Sequence, residues 1–159
     1  MSVAVETTTK SFVLLPLGRR RVAFAAESVI ELTALDRLQN FPHRTPWISG
    51  VLVRRNRVVP VYNISELFGE EAFFASRFYL IAEWQERGVR DWCAIPVAGE
   101  CELASAELSR PPDGQASSQL PFVIGSIPVN GEEIDVVDLT KLIQARRAAP
   151  ASLRAESAR

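Results

Sequence analysis

The sequence predicts an all-β protein, one barrel or a pair of small barrels with about five strands in each half, with a short C-terminal helix. Three observations point there. About nine or ten short apolar or alternating runs recur along the chain, turn-forming residues separate them, and only the stretch after Asp138 shows a helical spacing of apolar residues. With 159 residues, 47% of them hydrophobic, the chain buries a core without disulfide staples but falls short of two full-sized domains.

The elements follow in order. Residues 1–10 read as a disordered N-terminus and 11–146 as the folded unit, with a first lobe at about 11–70 and a second at about 76–135. Residues 12–17 are an apolar run and 21–25 alternate, which together make a hairpin with Arg19, Arg20 and Arg21 at its tip. Residues 29–33 form a third strand, and 35–47 a connection broken by Pro42 and Pro46.

Residues 48–53 and 57–62 flank Arg54, Arg55 and Asn56, and Asn tolerates the left-handed backbone that a tight turn demands. Pro60 cannot donate to a ladder, which predicts a strand edge or a bulge. Asn63 and Gly69 bracket a helical turn as N-cap and stop. Further on, 77–84 and 90–97 read as strands around Glu86, Arg87 and Gly88, 100–103 as another, and 109–119 as a Pro- and Ser-rich loop.

Residues 121–129 and 133–137 form a hairpin on Asn130-Gly131, one of the strongest two-residue turn signals. Asp138 is the candidate N-cap of a closing helix at about 138–146, with Leu139, Leu142 and Ile143 on one face. From Lys141 onward Arg146, Arg147, Arg154 and Arg159 face only Glu156, so 147–159 reads as a flexible, solvated tail.

Composition narrows function. Lys plus Arg number 18 against 19 Asp plus Glu, a net charge of −1, which argues against a general nucleic-acid binder. The sequence carries no long apolar run and no leader-like N-terminus, so a cytoplasmic protein without membrane insertion is expected. Cys93 and Cys101 read as free structural thiols, and His43, the one histidine, supplies no metal set with them. Nucleophile elbows, phosphate-cradling loops and paired-glycine fingerprints are missing, which predicts neither an enzyme nor a cofactor.

The candidate site is therefore a binding surface. Arg54, Arg55 and Arg57 cluster at one turn, where they either discourage edge-to-edge strand pairing or hold Glu31 by an arginine fork across neighbouring strands. Trp47, Trp84, Trp92, Phe68, Phe73 and Phe74 exceed what small barrels need, and Phe73-Phe74 reads as a lobe-to-lobe or partner contact.

Three pieces in order resemble the CheW-like adaptor domain of bacterial chemosensory systems. Val29-Ile30-Glu31-Leu32 is similar to the family's V-x-E-I strand, Pro46 to Val51 to its P-x-[WF]-I-x-G-V entry, and Arg55 to Val61 to its R-G-x-[VI]-[VI]-P-V hairpin. The opening hairpin at 12–24 and the closing strand and helix start at 134–142 extend the resemblance over roughly 11–144. Val53-Arg54 stands where the family has Asn-Leu, Asn56 where it has glycine, Asn63 where it has aspartate, and 92–97 where it has V-D-x-V, which marks a divergent member.

What the resemblance implies is a non-catalytic scaffold made of two small five-stranded β-barrel subdomains, coupling the cytoplasmic tips of methyl-accepting chemoreceptors to the regulatory domain of a CheA-type histidine kinase. Divergent versions often accompany chemosensory systems that control type IV pili or other surface behaviours. By the same resemblance Val29, Glu31 and Arg55 form the partner surface, Glu31 pairs with Arg55 and Gly50 is structural; Arg54 and Arg57 join that surface as members of the basic cluster, and a monomer in dilute solution is expected. The alternative is a small-ligand or nucleic-acid-binding barrel using the basic tips at Arg19 to Arg21 and Arg54 to Arg57.

Overall fold

The computed structural model describes residues 9–17, 20–34, 48–68, 78–97, 99, 101–110 and 120–148. Strands β1 (Thr9–Leu17), β2 (Arg20–Ala25), β8 (Glu102–Glu107), β9 (Val123–Val129) and β10 (Glu132–Val137) make one sheet, ordered β8-β1-β2-β10-β9. Strands β3 (Val29–Ala34), β4 (Ile48–Arg54), β5 (Arg57–Tyr62), β6 (Phe78–Glu86) and β7 (Val89–Val97) make the other, ordered β3-β6-β7-β5-β4. Short 3-10 turns at Ala26–Ser28 and Ser65–Phe68 and a helix, α1 (Leu139–Ala148), complete the described elements.

Local turn chemistry explains the hairpins. Arg55 and Asn56, Arg87 and Gly88, and Asn130 and Gly131 all have positive φ, and each pair is closed by directly facing residues: Arg54 and Arg57, Glu86 and Val89, Val129 and Glu132. Two left-handed residues give the twist that suits antiparallel strands. Arg55 and Arg87 enter that region without the tolerance of Asn or Gly, at a cost of about 1 kcal/mol each.

Sheet membership departs from the expected division at about 11–70 and 76–135. The first sheet takes β1 and β2 from the start of the chain and β8, β9 and β10 from its end, while the second is the continuous stretch between them. A parallel pairing of β2 with β10 sews the chain's two ends together. Such pairings are set by distant residues, which local patterns do not report. The N-terminal boundary moves as well, since Thr9 and Lys10 lie in β1 opposite Glu107 and Ala106. At the other end α1 continues through Arg147 and Ala148, both expected in the tail.

Pro60 is also corrected. Its strand β5 lies between β4 and β7 rather than at an edge. The proline is tolerated because β5 and β7 are registered at one pair, Val61 with Ala94, so the missing N–H meets little ladder on that side. A register shift between Ile48 and Gly50 puts the buried Gly50 opposite Val61.

Alternation distributes the strands' side chains among three cores. Phe12, Leu14, Ala23, Ile127, Ile134 and Val136 fill the first sheet's interior, and Leu52, Val59, Val61, Tyr79, Ile81 and Ala94 the second's. The residues between them in sequence face the other way. Val13, Leu15, Val22, Phe24, Leu80, Ala82, Cys93 and Ile95 meet in a larger core shared by both sheets. Trp84 and Phe68 are buried there, at 8% and 5% exposure, so these aromatics are core rather than binding surface. Trp47, Phe73, Phe74 and His43 lie outside the described residues.

Helix α1 seals the shared core. Asp138 is its N-cap, accepting a hydrogen bond from the Lys141 N–H at 2.9 Å, and Leu139, Leu142 and Ile143 are buried. Asn63 similarly accepts from the Ser65 N–H at 3.2 Å and starts the Ser65–Phe68 turn. Among the described residues no helix is long and apolar enough to cross a membrane.

The edges of the first sheet meet at an antiparallel bridge, where Ser109 N–H donates to the Ser126 carbonyl at 2.9 Å and Ser126 N–H returns at 3.0 Å. Gly125 permits this approach, because a Cβ there collides with the Ser109 carbonyl oxygen and the Leu108 side chain. Gly125→Ala is therefore expected to open the β8–β9 seam, read as faster amide exchange at Ser109 and Ser126; unchanged exchange contradicts the account. Ile95, fully buried in the shared core, should cost about 2–5 kcal/mol when replaced by alanine, measured by urea unfolding.

Candidate functional site

The second sheet has two outer strands, β3 and β4, and the candidate residues lie on both sides of that gap. Glu31 faces Ile81 across the β3–β6 pairing, and Ile81 lines the interior core of the sheet. The Glu31 carboxylate thus lies over the mouth of that core. Arg54 is the last residue of β4, two positions beyond Leu52, which lines the same core, so alternation turns both side chains the same way.

The two meet as a fork. Arg54 Nε donates to Glu31 Oε1 at 2.8 Å and Arg54 Nη2 to Glu31 Oε2 at 2.7 Å, a bidentate, charge-assisted arrangement. Glu31 is largely covered, its side chain 17% exposed. Arg55, the partner expected for Glu31, brings its Nε only to 4.0 Å of Oε1, with its side chain 64% exposed. Arg54 wins because it ends a strand facing the mouth, whereas Arg55 sits in the turn at φ 51°. The bonds to Arg54 hold the Glu31 carboxyl below the usual carboxylate range, against an opposing contribution from burial, and the pair raises Arg54 correspondingly.

Arg57 flanks the fork from β5. Its guanidinium stacks 3.9 Å from the Trp92 ring centre and lies 3.8 Å from Asp91 Oδ1. Trp92 and Ile30 are half-buried against the same interior core. Val29 is also half-buried, packed on the shared core, so it offers a partner only part of its side chain. On the opposite face of the same hairpin, Val53 and Val58 face each other across β4 and β5, 51% and 67% exposed. The sequence signal for them was the unbroken apolar run on both strands, of which only alternate members face the interior.

Two further arginines are matched by carboxylates. Arg21, at the first hairpin, reaches Glu102 at 2.8 Å and Glu132 at 3.7 Å, and Arg147 reaches Glu86 at 3.5 Å. Burial pushes the thiols of Cys93 and Cys101 up and keeps them protonated. Among the described residues no group of His, Cys, Asp or Glu is placed to hold a metal ion.

Glu31 titrates lower in the folded chain than in the unfolded one, so the fork's stabilisation is complete above about pH 4.3 and lost as pH falls through the folded value. The stability gap between wild type and Glu31→Gln is expected to stay level between about pH 8 and pH 5 and to close in more acid solution. Thermal unfolding across pH checks this, and a gap that persists at about pH 2 contradicts it.

Comparison with known proteins adds to this geometry. The structure is similar to the crystal structure of the scaffolding protein TtCheW from Thermoanaerobacter tengcongensis, with a TM-score of 0.64, 18% identity, and coverage of 91% of this chain and 99% of that one. No curated protein sequence matches the chain. The family model for the CheW-like domain matches residues 11–147, nearly the whole folded region, and the chain belongs to the CheW-like domain family.

Proposed function

We propose that this protein is a non-catalytic adaptor of a chemosensory system, binding the regulatory domain of a CheA-type histidine kinase and the cytoplasmic tip of chemoreceptors. The observation that carries the reading is the cluster at the β3–β4 gap, within a chain that belongs to the CheW-like family. Glu31, Arg54, Arg55 and Arg57 there gather on one side of the hairpin, while Val29 on β3 packs toward the core shared by both sheets. A surface of this kind fixes a partner's orientation by charge and geometry, and it requires no reacting group.

The competing reading, a small-ligand or nucleic-acid-binding barrel that uses the basic tips at Arg19 to Arg21 and Arg54 to Arg57, is less favoured on the described residues of those tips, which exclude Arg19. Arg21, Arg54 and Arg57 already face carboxylates. Arg20 instead lies 5.9 Å from the Phe68 ring.

Arg55→Ala is expected to weaken capture of the kinase regulatory domain or the receptor tip about tenfold, the loss of one well-placed interfacial charge. The far-ultraviolet circular dichroism should be unchanged. Undiminished binding of both partners overturns the site assignment.

A further inference from the structure

We infer that Arg54 positions Glu31 and closes the β3–β4 seam, leaving Arg55 as a cation whose counter-charge is a carboxylate of the partner; the second half of this inference rests on the adaptor reading. The first half rests on geometry alone. Strands β3 and β4 are the two ends of the second sheet, with three strands between them and no ladder joining them among the described residues. The Glu31–Arg54 fork crosses that opening with two hydrogen bonds at 2.7 and 2.8 Å.

Each Glu31 oxygen is thereby taken by an Arg54 nitrogen in near-parallel pairing, the geometry a guanidinium holds best and an ammonium does not reproduce. Arg55 at 4.0 Å is beyond hydrogen-bond reach of the same carboxylate. Its charge therefore borders the fork without being consumed by it. Residue 54 sits where the resembled hairpin has leucine, so this chain carries two adjacent arginines and can divide two tasks between them: one holds the strand edges, the other faces outward.

A partner that docks here need not break the fork. It supplies a carboxylate to Arg55 at the exposed end of the hairpin, while Arg57 is kept in place by Trp92 and Asp91. Charge-assisted pairing of this kind shows itself as affinity that falls with salt.

Two sets of measurements test the inference. In thermal unfolding, Arg54→Ala should lower Tm by about 2–4 °C, the range expected of a well-formed surface pair in a chain of this size, and should have no further effect on a Glu31→Ala background. Arg54→Lys should recover little of the loss, and Arg55→Ala should move Tm by less than about 1 °C. Coupling of Glu31 to Arg55 instead of Arg54 overturns the seam assignment, whatever the partner does.

In the second set, binding of the kinase regulatory domain from the same organism is measured across salt concentrations. Arg55→Ala should flatten the salt dependence, Arg55→Glu should abolish binding, and Arg21→Ala, on the other sheet, should leave the salt slope intact. An unchanged slope in Arg55→Ala overturns the partner-carboxylate assignment. Absence of binding by the wild-type chain overturns the adaptor reading, and with it the second half of the inference, while the unfolding cycle still decides the first.

Discussion

Over residues 12–17, 22–24, 79–84 and 93–97, strands β1, β2, β6 and β7 have almost no face to give to water. On β1, Phe12 and Leu14 enter one interior while Val13, Leu15 and Leu17 enter the core shared with the other sheet, and β6 divides Tyr79 and Ile81 from Leu80, Ala82 and Trp84 in the same way. Burial on both faces is the condition on which the two-lobed shape depends, because neither sheet can satisfy such strands without the other. The hydrophobic contribution, roughly 25 cal/mol for each Å² of apolar surface removed from water, is thereby gained twice per strand. Helix α1 belongs to the same arrangement, since Leu139, Leu142 and Ile143 close the open side of the shared core.

That condition also explains where interaction chemistry is free to sit. The central strands are committed to packing, so exposed apolar and charged side chains collect at hairpin ends and outer strands: Val53, Val58 and Arg55 on the β4–β5 hairpin, Val89 at the start of β7, Leu103 on β8. The β3–β4 seam is the place where an outer strand's charge meets another outer strand's charge across an interior core. A fork there performs a mechanical task and shapes a surface at the same time.

What could be read in advance was what neighbouring residues decide among themselves. Asn130-Gly131, Asp138 and Asn63 act through bonds a few residues away, and each does in the structure what its chemistry suggested. Glu31 and the arginine cluster were legible as a meeting of charges. Which arginine holds the carboxylate was not, because the answer depends on side-chain direction at the end of β4 relative to a turn residue in the left-handed region. The grouping of β1 and β2 with β8 to β10 was equally hidden, as was Pro60's place inside a sheet: both depend on which strands meet after the chain has crossed from one sheet to the other and back.

The nesting of the second sheet inside the first has a consequence for the order of events on the ribosome. The opening hairpin emerges first but has no sheet to join until β8, β9 and β10 have followed, and its apolar faces must wait through the synthesis of everything between. The second sheet, in contrast, is complete as soon as β7 has emerged, and it offers a finished surface on which the hairpin can rest. Vectorial synthesis therefore favours maturation of the inner unit before the outer one. A nascent chain stalled after β7 leaves β1 and β2 without the β8 and β10 neighbours that complete their sheet.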